Sequence, residues 1–574
     1  MKLLSFEIGD LGKDRSGKEM TFKSLQSGFK VNFHKLSEKG IESMLEFQPF
    51  CFVGLNGSGK SNVLEALASI FNHLEMCVAK YRPENFEKHF RREICTPDAF
   101  ILKYLIGKRD QDSYNPEVAF LVSIEKEIGK EPQMFVEASP TSFMITQELR
   151  KVSLISSVRS QEKAPGKEFL PDLVVGYSSG ENEILSLPFI KNRLIHFDEY
   201  KEAVIEGYPF KEPETSLLYI DEEMSQAVLL TCLIFEDPET TLKPLKDELG
   251  IERIQSFRMN LNYQKLIYYI KSKKSNELIT KDAAKREVSI FSQFEEEIDK
   301  LKNCASSWFI DDSEEIPVLS IDFFVDDNLK QAIRENYDNT SFKFFRVLQI
   351  LYELNNNIVP NDTKEEVYKS EGFYTDWKLP TADPNSRVFH FLDYLIVKEI
   401  NDEGNTKDLL LREFSDGEHQ FIHTMGICLM LKDRRTLLLL DEPETHFNPE
   451  WRSKFINVLK NSIDAGGANN FLKDLVITTH SPFIISDCKR DFVKWFEKGK
   501  EPVDIGFQTY GASADYIIKR TTNKRYLNSV KSLDELHELI ENGTLDEIED
   551  KIDEFGTSAE KQFLYRRLEE LRNQ

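Results

Sequence analysis

The sequence predicts an α/β fold in which a buried, mainly parallel sheet with a phosphate loop lies beside an antiparallel subdomain. An apolar strand, PFCFVGL (49–55), runs into a glycine turn and an amphipathic helix. Short apolar runs return far along the chain in TLLLLDEPE (436–444) and DLVITTHSP (474–482), as is typical of buried parallel strands. The β-rich stretches between residues 100 and 138 indicate the antiparallel part. One sheet is therefore built from both ends of the chain.

The chain order predicts four regions. We expect an N-terminal lobe at 1–190, a mixed, mainly helical insert at 191–405, a C-terminal lobe of the same domain at 406–510, and a helical tail at 511–574. Within the insert, LNYQKLIYYIKSKK and FKFFRVLQILYELNNN have helical patterns, and VLSIDFFV has a strand pattern. Prolines such as Pro213 and Pro360 exclude a long uninterrupted coiled coil.

Composition narrows the class of protein. The chain has 574 residues, of which 40% are hydrophobic and 30% charged, so it can bury more than one core. We expect no membrane span, because no apolar run approaches the roughly 18 to 20 residues that one needs. The seven cysteines form no CxxC pairs and the start does not look like a signal peptide, so we expect a cytoplasmic protein without disulfides. A net charge of −24 requires any nucleic-acid contact to be a local basic patch.

The phosphate loop is the most specific motif. Residues Gly54–Ser61 (GLNGSGKS) match G-x-x-x-x-G-K-[ST] at every specified position, between an apolar strand and a helix. Glycines let backbone N–H groups surround phosphates at the N-terminus of the helix. The predicted nucleotide contacts are Asn56, Gly57, Ser58, Gly59, Lys60 and Ser61. Lys60 would bind the β- and γ-phosphates of ATP, and Ser61 would ligate Mg²⁺. A chance glycine turn is the alternative interpretation.

Two carboxylates end the leucine-rich strand. Asp441 would hold Mg²⁺, and Glu442 would orient or deprotonate the attacking water. Acidic residues after a strand are often just a solvated turn, but here the turn Pro443–Pro449 and a second buried strand ending in His480 follow. That histidine would contact the γ-phosphate or its water, although an isolated histidine is more often a satisfied structural residue.

These motifs, together with FSDGEHQ (414–420), resemble the Walker A, signature, Walker B with D-loop, and switch-histidine motifs of ABC/SMC-type ATPases. DEPETHFNP and THSP resemble the RecF/SMC-like branch in bacterial defence systems, including restriction-associated and Septu or retron-associated ATPases. The resemblance implies an ABC-type ATPase head that hydrolyses ATP with Mg²⁺. It also implies an ATP-sandwiched dimer or larger assembly, in which Ser415 and Gly417 of one subunit contact the γ-phosphate held by Lys60 of another. Gln161 is the nearest candidate for the glutamine loop, and an exposed loop residue is an equal alternative.

A second constellation partly repeats the first. Tyr177–Glu183 (YSSGENE) looks like a signature, and Asp221, Glu222 and Glu223 follow an apolar run. No second phosphate loop accompanies them, so we interpret them as a glycine turn and a strand or helix boundary. A contact surface near the ATP site is the alternative. The basic pairs and runs at 91–92 and 271–274 are interpreted as solvated faces.

The resemblance gives the leading hypothesis for function, a sensor or regulator of anti-phage defence that controls a separate nuclease. Nucleic acid is a second candidate partner. The alternative is a DNA-repair or chromosome-handling ATPase acting directly on DNA. A self-contained nuclease is disfavoured because only a short helical tail follows His480. A transporter subunit is disfavoured by the large insert, and no membrane partner is expected.

Overall fold

The computed structural model describes residues 1–573 apart from 14–15, 36–45, 111–112, 141–148, 156–162, 180–182, 211, 214, 270–284, 314, 371–378, 381–385, 401–403, 431–433, 466–472, 499 and 522–529. Its strands are β1 Lys2–Ile8, β2 Thr21–Phe22, β3 Leu25–Gln26, β4 Lys30–Asn32, β5 Phe50–Gly54, β6 Phe100–Asp110, β7 Ser113–Lys126, β8 Gln133–Pro140, β9 Arg150–Val152, β10 Leu173–Ser178, β11 Leu217–Tyr219, β12 Ile251–Asn262, β13 Lys265–Tyr269, β14 Lys285–Ser289, β15 Ser307–Asp311, β16 Val318–Phe324, β17 Phe389–Glu399, β18 Thr406–Leu410, β19 Thr436–Asp441, β20 Lys473–Thr478, β21 Val493–Phe496 and β22 Val503–Asp504. Its α-helices are α1 Lys60–Val78, α2 Glu84–Glu87, α3 Glu183–Glu206, α4 Glu222–Phe235, α5 Lys243–Leu249, α6 Glu295–Cys304, α7 Asp327–Asn336, α8 Ser341–Glu353, α9 Asn361–Lys369, α10 Asp416–Met430, α11 Pro449–Ala465, α12 Pro482–Ser486, α13 Ala514–Thr521, α14 Val530–Asn542, α15 Leu545–Lys551 and α16 Ala559–Arg572.

A seven-stranded sheet joins the two predicted lobes. Its order is β11-β10-β19-β20-β5-β21-β22, and every pair is parallel except the last. Strand β5 from the start of the chain lies between β20 and β21 from its far end. The leucines of β19 are 0 or 1% exposed, as expected for a strand covered on both faces. The predicted parallel sheet is therefore confirmed.

A second, antiparallel sheet shares an apolar core with helix α1. Its order is β4-β1-β6-β7-β8-β9, which confirms the predicted antiparallel subdomain. Helix α1 supplies Leu64 and Leu67 to a single apolar core that also contains Tyr104 from the antiparallel sheet and Leu437 from the parallel one. Because both sheets contribute buried side chains to the same core as α1, the helix and the loop that precedes it are held by both sheets.

The insert contains a third sheet. Its order is β15-β16-β12-β17-β18, with all neighbours antiparallel, and β16 lies on the strand-like piece VLSIDFF. Helix α8 occupies the predicted helical stretch beginning at 342. The helix predicted at 261–274 is wrong, because 261–262 end β12 and 265–269 form β13, which pairs with β14. A short apolar run suits either structure, and pairing with a distant segment decides between them.

Contacts divide the chain into two compact units, Met1–Tyr510 and Gly511–Gln574. The second unit consists of helices α13 to α16 and has its own small core. That core contains Leu536, Leu539, Ile548, Ile552, Leu564 and Leu568. Among the helices that the structure describes, none has the length and apolar character to cross a membrane.

Candidate nucleotide-binding site

The predicted motifs converge at the carboxyl edge of the parallel sheet. Strand β5 ends at Gly54, β19 at Asp441, and β20 at Thr478, with Thr478 paired in register to Asp441 on one side and to Phe52 on the other. Ligands of open α/β sheets bind beyond the carboxyl ends of the strands. The fold therefore brings together residues that are more than 400 positions apart in the chain.

Glycine is required at specific positions of the phosphate loop. Gly54, Gly57 and Gly59 have φ angles of 155°, 75° and 103°, which side chains rarely adopt. A Cβ on Gly54 would also lie 2.3 Å from the carbonyl oxygen of Phe496. The loop leads into α1 at Gly59, and the buried hydroxyl of Ser58 has no hydrogen-bond partner among the described residues. A phosphate at the N-terminus of α1 would supply that partner.

Lys60 is the buried cation of the site. It is 5% exposed, and its ammonium donates to the carbonyl oxygens of Gly54 at 3.0 Å and Leu55 at 3.4 Å. Its Nζ also lies 3.1 Å from Nε2 of His480. Burial lowers the pKa of Lys60, while the charges of Glu442 and Asp441 oppose this shift. An entering phosphate would exchange with His480 as a partner of this ammonium.

A hydroxyl and a carboxylate form the candidate Mg²⁺ site. Ser61 Oγ donates to Asp441 Oδ1 at 2.8 Å, and the hydroxyl of Thr478 donates to the same carboxylate oxygen. Mg²⁺ prefers oxygen ligands and usually keeps waters and substrate phosphates as the others. In the described part of the chain, no group of three or more His, Cys, Asp or Glu side chains is arranged so that it could hold a metal ion by itself. This donor set fits Mg²⁺ bound together with a nucleotide.

Glu442 is held in a strained backbone conformation. Its φ is 48°, in the left-handed region, and its N–H donates to both the carbonyl oxygen and the hydroxyl of Thr478 at 3.1 Å. Its Oε1 lies 3.4 Å from Nε2 of His480, and that contact holds the pKa of Glu442 below its usual value. The carboxylate is therefore ionised at neutral pH although it is half-buried, with 42% of its side chain exposed. It can accept a hydrogen bond from water.

The signature residues begin helix α10. The backbone N–H and hydroxyl of Ser415 both donate to Oε2 of Glu418, at 2.8 and 2.9 Å, and Lys398 forms an ion pair with the same carboxylate. A Cβ on Gly417 would approach the carbonyl oxygen of His446 to 2.9 Å, so the helix packs closely on the turn after β19. No hydrogen bond within the described ranges joins Ser415 to Lys60. The hydroxyl of Ser415 is instead bonded to Glu418.

Gln420 fastens that turn to the signature helix. It is 3% exposed, and its Oε1 accepts a hydrogen bond from the N–H of His446 at 3.0 Å. Asn448 then caps α11 by accepting from the N–H of Trp451 at 2.8 Å. A displacement of the signature helix would therefore act directly on the turn that follows Glu442.

Residues 178 and 179, from the second constellation, lie close to Asp441 and Glu442. Strand β10 pairs with β19 so that Ser178 is opposite Asp441. The N–H of Ser179 donates to the Asp441 carbonyl oxygen at 3.2 Å, and its hydroxyl bonds to the Glu442 carbonyl oxygen. This favours the alternative of a contact surface near the ATP site over an isolated turn. Residues 180–182 lie outside the described residues.

The acidic run at 221–223 is different. Asp221 caps α4 by accepting from the N–H of Met224 at 2.9 Å, and it pairs with Arg193 at 2.5 Å. The predicted helix boundary is therefore confirmed. The side chains of Arg91 and Arg92 donate to backbone carbonyls. Gln161 and the basic run at 271–274 lie outside the described residues.

Glu444 is a buried acid behind the site. It is 4% exposed and accepts a hydrogen bond from the hydroxyl of Thr479, while its Oε2 has no partner among the described residues. Burial raises the pKa of Glu444 to about 7. The folded protein therefore binds more protons here than the unfolded chain between the usual pKa, near 4.5, and about 7.

This shift predicts a pH dependence of stability that Glu444→Gln removes. The stabilisation that Glu444 contributes to the folded state is complete below the pKa that it has in the unfolded chain. It is lost as pH rises through the pKa that it has in the folded protein. Relative to the parent, Glu444→Gln should therefore gain about 1–3 kcal/mol of unfolding free energy between pH 4 and pH 8. Urea unfolding at both pH values measures the gain. Glu450→Gln, at an exposed position in α11, is the control, and an equal gain in both variants would contradict the assignment to Glu444.

Comparison with protein families agrees with this geometry. Residues 274–486 are similar to the family described as "AAA domain, putative AbiEii toxin, Type IV TA system". The matched segment includes Ser415, Asp441, Glu442 and His480, and it does not include the phosphate loop at 54–61. The loop and the matched segment nevertheless meet at one sheet edge. Together they support a P-loop ATPase domain.

Proposed function

We propose that this chain is an ATP-binding and ATP-hydrolysing ATPase of the ABC/SMC-like type that works with Mg²⁺. The observation that carries the proposal is the meeting of three groups at one sheet edge. These are the ammonium of Lys60, the oxygen pair of Ser61 and Asp441, and the contact between Glu442 and His480. The groups match the needs of phosphoryl transfer, which are phosphate binding, an oxygen-rich cation site and a group that orients water.

Each side chain has a distinct role in the proposed reaction. Lys60 binds the β- and γ-phosphate oxygens. Ser61 and Asp441 would hold Mg²⁺, which would neutralise phosphate charge when bound. Glu442 accepts a hydrogen bond from the attacking water and orients it toward the γ-phosphate. His480 contacts the γ-phosphate or that water. Nε2 of His480 faces both Lys60 and Glu442. A phosphate bound at Lys60 can therefore change the contact between His480 and Glu442, which orients the water.

We propose further that hydrolysis needs two subunits. Within one subunit Ser415 bonds to Glu418 rather than to the phosphate loop, and it lies exposed at the start of a helix. An exposed helix N-terminus is suited to a phosphate carried by another subunit. ATP would then lie between Lys60 of one subunit and the Ser415–Gly417 turn of the next.

A substitution at Ser415 tests the two-subunit site. Ser415→Arg should leave ATP binding to each subunit within about threefold, but should lower turnover by about a hundredfold, because a large side chain blocks the approach of the second subunit. Mixing this variant with Lys60→Ala should restore part of the activity through composite sites. Ser453→Arg, at an exposed serine in α11, is the control. Full turnover by Ser415→Arg alone would transfer the role to another turn, with Ser178 and Ser179 the next candidates.

The proposed biological role is that of a sensor or regulator in anti-phage defence that controls a separate nuclease. It rests on the resemblance of the DEPETHFNP and THSP motifs, and on a family description that names a toxin–antitoxin system. Plaque counts on cells carrying the chain with its neighbouring genes test the role, with Lys60→Ala as the inactive control. Protection that also needs a nuclease encoded by one of those neighbouring genes supports it. ATP-dependent DNA binding by the purified chain, without any protection, would favour direct action on DNA.

A further inference from the structure

Strand β15 presents a row of apolar side chains to solvent. All five of its residues are exposed, including Trp308 at 49%, Phe309 at 46% and Ile310 at 49%. The strand ends the five-stranded sheet, and no other described strand pairs with its outer edge. Proteins usually protect such an edge with charges, proline or a covering element, because its free N–H and C=O groups invite pairing. Three consecutive large apolar residues on an open edge therefore indicate a partner strand.

The register with β16 assigns these side chains to the two faces of the sheet. Trp308 is opposite Ile321, and Ile310 is opposite Leu319, so both lie on the face of the buried core. Phe309 is opposite Ser320 and lies on the other face. A partner strand must consequently offer apolar side chains on both of its faces.

The sequence of β15 meets that requirement when it pairs with itself. In an antiparallel pair centred on Phe309, this residue faces its own copy on one face of the sheet. On the opposite face Trp308 faces Ile310, twice by symmetry. Aromatic pairs and pairs of aromatic with β-branched residues are the favourable cross-strand combinations. Asp311 faces Ser307, so no two carboxylates are opposed.

Neighbouring registers lack this match. Because residues directly opposite each other must share a face, the two-fold axis must pass through a residue, and the nearest alternatives are Trp308 and Ile310. Centring on Trp308 puts Phe309 opposite Ser307. Centring on Ile310 puts Phe309 opposite Asp311. Only the register centred on Phe309 pairs apolar with apolar at every apolar position.

We propose that β15 is a self-association site, at which two copies of this chain pair antiparallel about a two-fold axis through Phe309. The pairing joins two five-stranded sheets into one continuous ten-stranded sheet. This interface is isologous, because the same strand is used by both copies. It involves neither the phosphate loop nor Ser415, so it forms without nucleotide. It is therefore distinct from the ATP-dependent contact proposed above, and either can fail alone.

The first test uses Phe309→Glu in sedimentation-velocity experiments without nucleotide. In the monomer the new carboxylate lies near Arg258, whose guanidinium is 5.6 Å from the Phe309 ring, so folding should be preserved. In the dimer two carboxylates would face each other at the axis. Self-association should weaken by about tenfold or more. Ile128→Glu is the matched control at a 43% exposed apolar residue in a turn, and it should behave like the parent. A monomeric parent, or a dimer insensitive to Phe309→Glu, would overturn the proposal.

The second test traps the dimer covalently instead of weakening it. Antiparallel residues that face each other have Cα atoms about 4.5 or 5.5 Å apart, within the range that a disulfide spans. Phe309→Cys, oxidised with oxidised glutathione, should therefore give a covalent dimer on a non-reducing gel, while Ile128→Cys should not. The seven native cysteines are buried, so background cross-linking is low. A Phe309→Cys protein that folds and stays monomeric would indicate that a different protein supplies the partner strand.

Discussion

Glu442→Gln should lower ATP turnover by about two to four orders of magnitude while leaving ATP affinity within a few fold of the parent. Glutamine keeps the length of the side chain but cannot accept the proton of the attacking water. The backbone position should survive, because the two hydrogen bonds from the Glu442 N–H to Thr478 do not involve the side chain. Asp441 and Ser61 keep the oxygen pair for Mg²⁺.

The same variant tests assembly. ATP that binds without being hydrolysed should hold two subunits together, so the ATP-bound assembly should accumulate. Light scattering should show a particle mass with ATP and Mg²⁺ that is larger than the mass without nucleotide. Both ATP and Mg²⁺ should be needed for this increase. Phosphate release measures turnover, and Glu450→Gln provides the control at an exposed carboxylate in α11. Near-parental turnover with no change in mass would show that Glu442 does not orient the water and that the proposed mechanism is wrong.

Lys60→Ala should weaken ATP binding by about a hundredfold or more and abolish turnover. The substitution removes the buried ammonium that would bind the β- and γ-phosphates, and a charged hydrogen bond of this kind is among the strongest in proteins. It leaves the glycine conformations of the loop intact. Burial lowers the pKa of Lys60, so its loss also removes a desolvated charge, and the unfolding midpoint should change little.

Isothermal titration with ATP and Mg²⁺ measures this effect. Lys80→Ala, at an exposed lysine just beyond the other end of α1, is the matched control and should bind as the parent does. Thermal unfolding of both variants separates a loss of binding from a loss of fold. Parental affinity and turnover in Lys60→Ala would refute the assignment of the phosphate loop.

Local patterns in the sequence predicted strands β5, β19 and β20 of the parallel sheet and β6, β7 and β8 of the antiparallel sheet. They also predicted the helix after the phosphate loop and the motifs that end β5, β19 and β20. Such predictions succeed because a buried strand or an amphipathic helix leaves its period in neighbouring residues. The roles of Glu442 and His480 come from the same patterns and stay predictions until turnover is measured. The pattern failed at 265–269, where a short apolar run suits a helix and a strand equally.

Only the tertiary structure decided which distant residues meet. It places His480 within 3.1 Å of Lys60, 420 positions earlier, and Ser179 against the backbone of Glu442. It gives Thr478 contacts with both acidic residues, and it leaves the apolar strand β15 at an open edge. Each of these facts depends on strand order and register, which arise from pairing between remote segments. Periodicity reports which face of an element is buried, but carries no information about the neighbour that buries it.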